Sequence, residues 1–158
     1  TISFTDPYYK NPLSVIGDKN QKFDASPEGL KGKVLGLQVS TTQADYADKY
    51  FKSVVKEIKS YQTQDEVNQD LLSGRIDAQI ADKFPLAEFL KSPEATACCD
   101  MKGDVFYDEA IIGRGTGAGV RKDDNELREK INAAIKVLRD NGEYKKITDK
   151  YFAFDIYK

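Results

Sequence analysis

The sequence predicts an α/β fold whose sheet is largely parallel, and three observations carry that reading. Strand-length segments recur: an apolar run at residues 34–39, too short for a core helix, an alternating stretch at 57–61, and a third strand at 75–82. Each run precedes a stretch with apolar residues at helical spacing: Ala44, Ala47 and Phe51, then Val67, Leu71 and Leu72, then Leu86, Phe89 and Leu90. Strands and helices alternating in this order form crossover units, which lay their strands parallel. Ligands of such sheets sit beyond the carboxyl ends of the strands.

The central stretch is residues 34–43, Val-Leu-Gly-Leu-Gln-Val-Ser-Thr-Thr-Gln. Its apolar half reads as a strand, and Ser40, Thr41 and Thr42 then offer three hydroxyls at the start of a helix expected over 43–55. Helix starts leave backbone N–H groups unbonded at the positive end of the helix dipole, a ready place for a carboxylate. Plain capping by Thr41 or Thr42 is the alternative. Asp82 ends another strand and is read the same two ways, as a ligand group or as a helix cap.

Around this centre the remaining elements follow in order. Ile2 and Phe4 alternate with Ser and Thr before Asp6-Pro7, a strand running into a turn, and a chain that begins inside a strand reads as cut rather than started. Residues 12–16 suit another strand, and Ser26-Pro27-Glu28-Gly29-Leu30 a short capped turn or helix. Gly74 stops the helix expected over 64–74, and residues 92–110 read as irregular. Glycine-dense residues 111–122 lack the third glycine of a dinucleotide loop and the Gly-Lys-Ser/Thr of a phosphate loop. Such glycines instead let a strand bend or cross between two bodies. Leu127, Ile131, Ala134, Ile135 and Leu138 then form a helical stripe stopped by Asn141-Gly142, and a shorter helix over 144–152 follows.

Composition removes several function classes. The 158 residues carry 24 Lys and Arg against 26 Asp and Glu, a net charge of −2, so no basic field draws nucleic acid or an anionic membrane. Lys145, Lys146 and Lys150 alternate with acids on helical sequence and read as a solvated face. With no histidine there is no His-based triad, no His metal ligand and no His switch. No apolar stretch nears the ~20 residues that span a bilayer, and residues 1–30 show no signal-peptide pattern. Cys98 and Cys99 are adjacent; they are expected as two free thiols, not a staple, and they make a poor zinc site. No metal and no cofactor are expected.

Five stretches carry a resemblance: Phe4-Thr5-Asp6-Pro7-Tyr8-Tyr9; Leu30-Lys-Gly-Lys33 before the strand with Thr41-Thr42; Gly74-Arg-Ile-Asp-Ala78 through Asp82; Gly117-Ala-Gly-Val-Arg-Lys-Asp-Asp124; and residues 140–155. In this order and spacing the chain resembles the periplasmic solute-binding proteins of polar amino-acid ABC transporters, particularly the lysine/arginine/ornithine and histidine binders and their opine-binding relatives. The resemblance implies a type II periplasmic-binding-protein-like fold of two lobes joined by two crossing strands. It implies that residues 1–9 are a remnant of lobe 1 with the first hinge strand, 10–107 a complete α/β lobe 2, 108–115 the second hinge strand and 116–158 the C-terminal helical part of lobe 1. Thr42, with the helix N-terminus, would bind a ligand α-carboxylate, and Asp82 would pair with the α-ammonium. Gln38 matches a position facing the ligand side chain and departs there from the apolar residue of the basic amino-acid binders. Gln38, Ser40, Thr41, Thr42 and Asp82 are the expected ligand-binding residues.

The N-terminal part of lobe 1, with its aromatic clamp, serine-rich loop and carboxylate-pairing arginine, has no counterpart in this sequence. Each missing charge-assisted bond is worth ~1.5–3 kcal/mol, so two or three together cost on the order of a thousandfold in affinity. The resemblance therefore implies a periplasmic amino-acid-binding protein, of basic amino-acid or opine type, that binds weakly or not at all and serves an inner-membrane permease. The unpaired lobe 1 surface implies a homo-oligomer. A dehydratase-type enzyme is the alternative on this fold, but Glu57 and Glu109 read as surface carboxylates and no base pairs with Cys98 or Cys99. A non-binding, self-associating remnant is a third reading.

Overall fold

The computed structural model describes residues 2–157. The chain enters with β1 (Ile2–Phe4), then lays down β2 (Leu13–Asp18), β3 (Val34–Gln38), α1 (Thr42–Tyr50), β4 (Glu57–Tyr61), α2 (Gln64–Leu72), β5 (Ala78–Asp82) and α3 (Lys83–Phe89). It continues through α4 (Pro93–Cys98), β6 (Cys99–Asp104), α5 (Glu109–Ile112), β7 (Gly119–Arg121), α6 (Asn125–Asp140) and α7 (Glu143–Thr148). These elements form two compact units, a central one of Pro12–Gly113 and a terminal one built from both ends of the chain.

The central unit holds a five-stranded sheet in the order β4-β3-β5-β2-β6. β3 runs parallel to β4 and to β5, while β2 runs antiparallel to β5 and to β6. The sheet is therefore mixed where the sequence suggests a largely parallel one. The reason lies in residues 19–33, which join β2 to β3 at one edge of the sheet without a crossover helix, so the two strands run in opposite directions. Residues 92–110, expected to be irregular, hold α4, β6 and α5. Ser92 accepts from the Ala95 amide at 3.2 Å with Pro93 in the first turn, an ordinary helix start. β6 is an edge strand in which Asp100, Lys102 and Asp104 alternate with Cys99, Met101 and Gly103, a pattern with too little apolar bulk to stand out in the sequence.

Three further readings are corrected. Residues 109–112 form a turn of helix capped by Asp108, not a hinge strand. α1 ends at Tyr50, short of residue 55, because Phe51 closes it as the C-cap and residues 51–55 continue as turn and bend. Cys98 and Cys99 are joined in a disulfide between neighbours, not left as free thiols. The pair stands at a helix-to-strand corner, with Cys98 ending α4 and Cys99 extended at φ −133° and ψ 157°.

Each face of the sheet has its own core. On one face Leu13, Val15, Leu35, Leu37, Ala78 and Ile80 pack against Tyr46, Ala47 and Phe51. On the other, Ile16 and Ala81 meet Val67 and Leu71 of α2 and Leu86 of α3. Gly36 faces this second core, where a Cβ would collide with the Ile76 and Val67 side chains. The strand alternation of period two thus explains why a glycine interrupts the run Val34-Leu35-Gly36-Leu37.

In the terminal unit β1 pairs antiparallel with β7, and Thr5 and Tyr8 donate to the carbonyls of Ala118 and Thr116 at 3.0 and 2.9 Å. These segments approach closely at Gly115 and Gly117, where a Cβ would lie 2.7 Å from the Tyr9 and Thr5 carbonyl oxygens. α6 is 16 residues long and none of them is buried; Leu127, Val137 and Leu138 are exposed. Among the described residues no helix is long and apolar enough to cross a membrane.

Candidate functional site

The expected ligand-binding residues all lie in the central unit, at the carboxyl edge of neighbouring strands. β3 and β5 pair with Leu35 opposite Ala78 and Gly36 opposite Gln79. Continued along that register, Asp82 at the end of β5 falls level with Val39, the first residue past the end of β3. β4 lies on the other side of β3, with Tyr61 opposite Gln38. The strand ends thus gather Gln38, the corner at 39–42 and Asp82 in one place.

The corner is built by Ser40 and Thr41. Ser40 is exposed and holds φ at 57°, the left-handed region that non-glycine residues rarely adopt. That kink lets the chain leave the strand and enter α1 at once. Thr41 is the N-cap, extended at φ −126° and ψ 161°. Its hydroxyl donates to the Gln38 carbonyl at 2.7 Å and accepts from the Ala44 amide at 3.3 Å. The capping reading therefore holds for Thr41, whose hydroxyl proton is already committed.

Thr42 and Gln43 are the first two residues of the nine-residue α1. Their backbone N–H groups and the Thr42 hydroxyl donate to no group among the described residues. These are the orphan donors of a helix start, and Asp45 is the acid in that first turn. Gln43 is a residue the sequence reading passed over. It is 9% exposed and its side-chain amide has no protein partner among the described residues. Its spacing of three and four from the buried Tyr46 and Ala47 was the available signal.

Asp82 ends β5, the strand beside β3. As the residue before α3 it forms no side-chain capping bond, so the plain cap reading fails for it. Its carboxyl is half-buried, and burial pushes its pKa above the ordinary aspartate value. An unpaired, partly desolvated carboxylate is poised to gain from a cation. Gln38 donates through Nε2 to the Gln62 carbonyl at 3.0 Å, which fixes the side chain along the start of α2 and leaves Oε1 as an acceptor.

Deeper in the same sheet Gln79 is fully buried, and its amide closes a ring with Gln64 and Asn68 at 2.8–3.2 Å. The ring ties β5 to the start of α2 beneath the site. A cavity of about 350 Å³ lined by Asp18, Asp77, Leu71 and the Cys98–Cys99 pair lies at the opposite edge of the sheet. No group of residues able to hold a metal ion occurs among the described residues.

The family model of the bacterial extracellular solute-binding proteins, family 3, matches residues 1–154. A histidine-binding periplasmic protein of Escherichia coli is 42% identical over 159 residues, covering 99% of this chain and 60% of that protein. An L-arginine-binding protein of Pseudomonas aeruginosa is 37% identical over 157 residues, covering 99% of this chain and 61% of its own length. Among solved structures, an ancestral arginine-binding protein bound to arginine superposes with a TM-score of 0.71 at 32% identity, over 96% of this chain and 65% of that one. The chain thus spans about 60% of the length of the curated relatives it matches.

Proposed function

Because the chain belongs to the bacterial extracellular solute-binding proteins of family 3, we propose that it is the periplasmic amino-acid-binding component of an ABC transporter. In this reading it would present its ligand to an inner-membrane permease. The observation that carries the ligand class is the pairing of opposite preferences at adjacent strand ends. The orphan N–H groups of Thr42 and Gln43 favour an anion, and the unpaired Asp82 carboxylate favours a cation. A free amino acid carries both charges on one carbon.

Thr42 would take the α-carboxylate through its hydroxyl and backbone N–H, with the helix dipole behind it. Ser40 and Thr41 would shape that corner, and Asp82 would take the α-ammonium. Gln38 would meet the ligand side chain, and its free Oε1 suits a donor such as a guanidinium, an ammonium or an amide. The relatives named for histidine and L-arginine support a ligand whose side chain carries N–H donors. A basic amino acid, an opine or glutamine fits these contacts.

The 158 residues supply contacts from one sheet edge, and each charge-assisted bond not made costs ~1.5–3 kcal/mol. This stretch by itself is therefore expected to bind weakly, in the millimolar range. Isothermal titration with L-arginine, lysine, ornithine, histidine, glutamine and octopine tests the reading. Millimolar binding that Asp82→Asn abolishes supports it, and binding unchanged by Asp82→Asn overturns it.

Exposed Ile2, Phe4, Leu127, Val137 and Leu138 favour a second property, homo-oligomerisation through the terminal unit. Light scattering after size exclusion should give a defined oligomer that Leu127→Lys and Leu138→Lys together convert to monomer. A monomer of the unmodified chain at 100 μM or so would end that proposal.

A further inference from the structure

One carboxylate outside the candidate site fastens the helix that carries it. Asp108, at the end of the central unit, accepts at a single oxygen from Lys49 Nζ at 2.7 Å and from the Tyr50 hydroxyl at 2.8 Å. Its other oxygen accepts from the Ala110 amide at 3.0 Å and so caps α5. One turn earlier on α1, the buried Tyr46 donates its hydroxyl to the Phe106 carbonyl at 2.9 Å. Tyr50, Ile111 and Ile112 then pack on the core below. Residues 106–112 and the second half of α1 are held together by three side-chain bonds and an apolar seam.

We propose that Asp108 is a positioning residue for the candidate ligand site, holding α1 at its C-terminal half so that the N–H groups of Thr42 and Gln43 stay aimed beyond the sheet edge. α1 is a rigid rod of nine residues, so Thr42 and Tyr50 are about 12 Å apart along its axis. Without Asp108, α1 keeps the apolar packing of Tyr46, Ala47 and its C-cap Phe51 and the single Tyr46 bond to Phe106, and it can roll about that one bond because apolar packing is not directional. The Asp108 bonds grip the flank of the helix beside that packing and oppose the roll. Orphan donors at a helix start recognise an anion only when they point at one place, so the clamp sets the geometry of the site without touching a ligand. The link to ligand binding rests on the amino-acid reading above; the link to α1 does not.

The test compares amide hydrogen exchange in the 158-residue chain and in Asp108→Ala. Asp70→Ala serves as the control, since Asp70, on α2, likewise accepts from a tyrosine hydroxyl and a cation, those of Tyr61 and Arg75. The Ala44 and Asp45 amides, which donate to Thr41, report on the start of α1. Asp108→Ala should speed their exchange at least tenfold while Asp70→Ala leaves them within twofold. Rates within twofold in Asp108→Ala, or equal acceleration by Asp70→Ala, overturn the inference. If Asp108→Ala does not fold, Tyr50→Phe and Lys49→Met each remove one bond, and the same comparison applies to them.

L-Arginine titration of the same proteins separates the two claims. Weaker binding in Asp108→Ala, at least fivefold, together with faster α1 exchange supports both. Faster exchange with binding unaltered overturns the positioning role in ligand binding. Faster exchange with no binding by any of the proteins up to 50 mM or so overturns the amino-acid reading and supports the clamp on α1.

Discussion

The Thr41 hydroxyl reaches back to the Gln38 carbonyl across 2.7 Å, closing the corner between β3 and α1. The same oxygen accepts from Ala44, so one side chain ends the strand and starts the helix. Thr41→Ala should therefore lower stability by about 1 kcal/mol, the usual cost of losing an N-cap, while Thr41→Ser retains most of it. Thr42→Ala should leave the melting temperature nearly unchanged and weaken ligand binding. Chemical denaturation and titration of the three variants measure this contrast.

Asp82 should trade stability for binding. Its folded pKa is raised by burial, so the native state holds the proton more tightly than the unfolded chain. The penalty of the bare carboxylate is absent well below the ordinary aspartate range, appears as pH rises through the folded pKa, and is full at neutral pH. Asp82→Asn should accordingly raise stability near pH 7 by about 1 kcal/mol, a figure already reduced for its partial exposure. That gain should vanish at strongly acid pH. Ligand binding should weaken as pH falls through the raised Asp82 pKa, and denaturation and titration across pH check both signs.

Asp70 gives the opposite sign. Arg75 first and Tyr61 second hold its carboxyl below the ordinary aspartate value. The stability it contributes is present above the unfolded pKa and is lost as pH falls through the lower folded one. The difference in melting temperature between the unmodified chain and Asp70→Asn should be largest near neutral pH and should close in acid. Thermal melts across that range read it directly.

Gly36→Ala should destabilise by about 1–3 kcal/mol, because the added methyl meets Ile76 and Val67 in a filled core. The double variant with Ile76→Val should recover part of the loss, as expected for neighbours that share one space. Denaturant midpoints of the single and double variants measure the coupling.

Much of this architecture was legible in residue order. The runs around Leu35, Ile58 and Ile80 have strand length, and the helices after them carry clear apolar spacing, so the three β–α units could be read directly. The antiparallel course of β2 was not legible, since strand direction follows from the connection at 19–33 and not from any feature of Leu13-Ser14-Val15-Ile16. β6 was hidden because its alternating positions Cys99, Met101 and Gly103 offer little apolar bulk between three charged residues, although Ser92-Pro93 did announce the helix before it. At the site, three hydroxyls in a row marked the corner, but sequence could not divide their labour. Thr41 is committed to the backbone, Thr42 is free, and Ser40 supplies the kink at φ 57°. The Asp108 clamp was out of reach, because it joins residues 58 and 59 positions apart.

Amino-acid binding at the ends of β3 and β5 is tested most directly by titrating the isotopically labelled chain with L-arginine and following its backbone amides. Binding at these strand ends should give saturable shifts at Thr42, Gln43 and Asp82, lost in Asp82→Asn and absent with agmatine, which keeps the cation and lacks the α-carboxylate. Shifts confined to the cavity beside Cys98 and Cys99, or no saturable shift anywhere up to 50 mM or so, would contradict it.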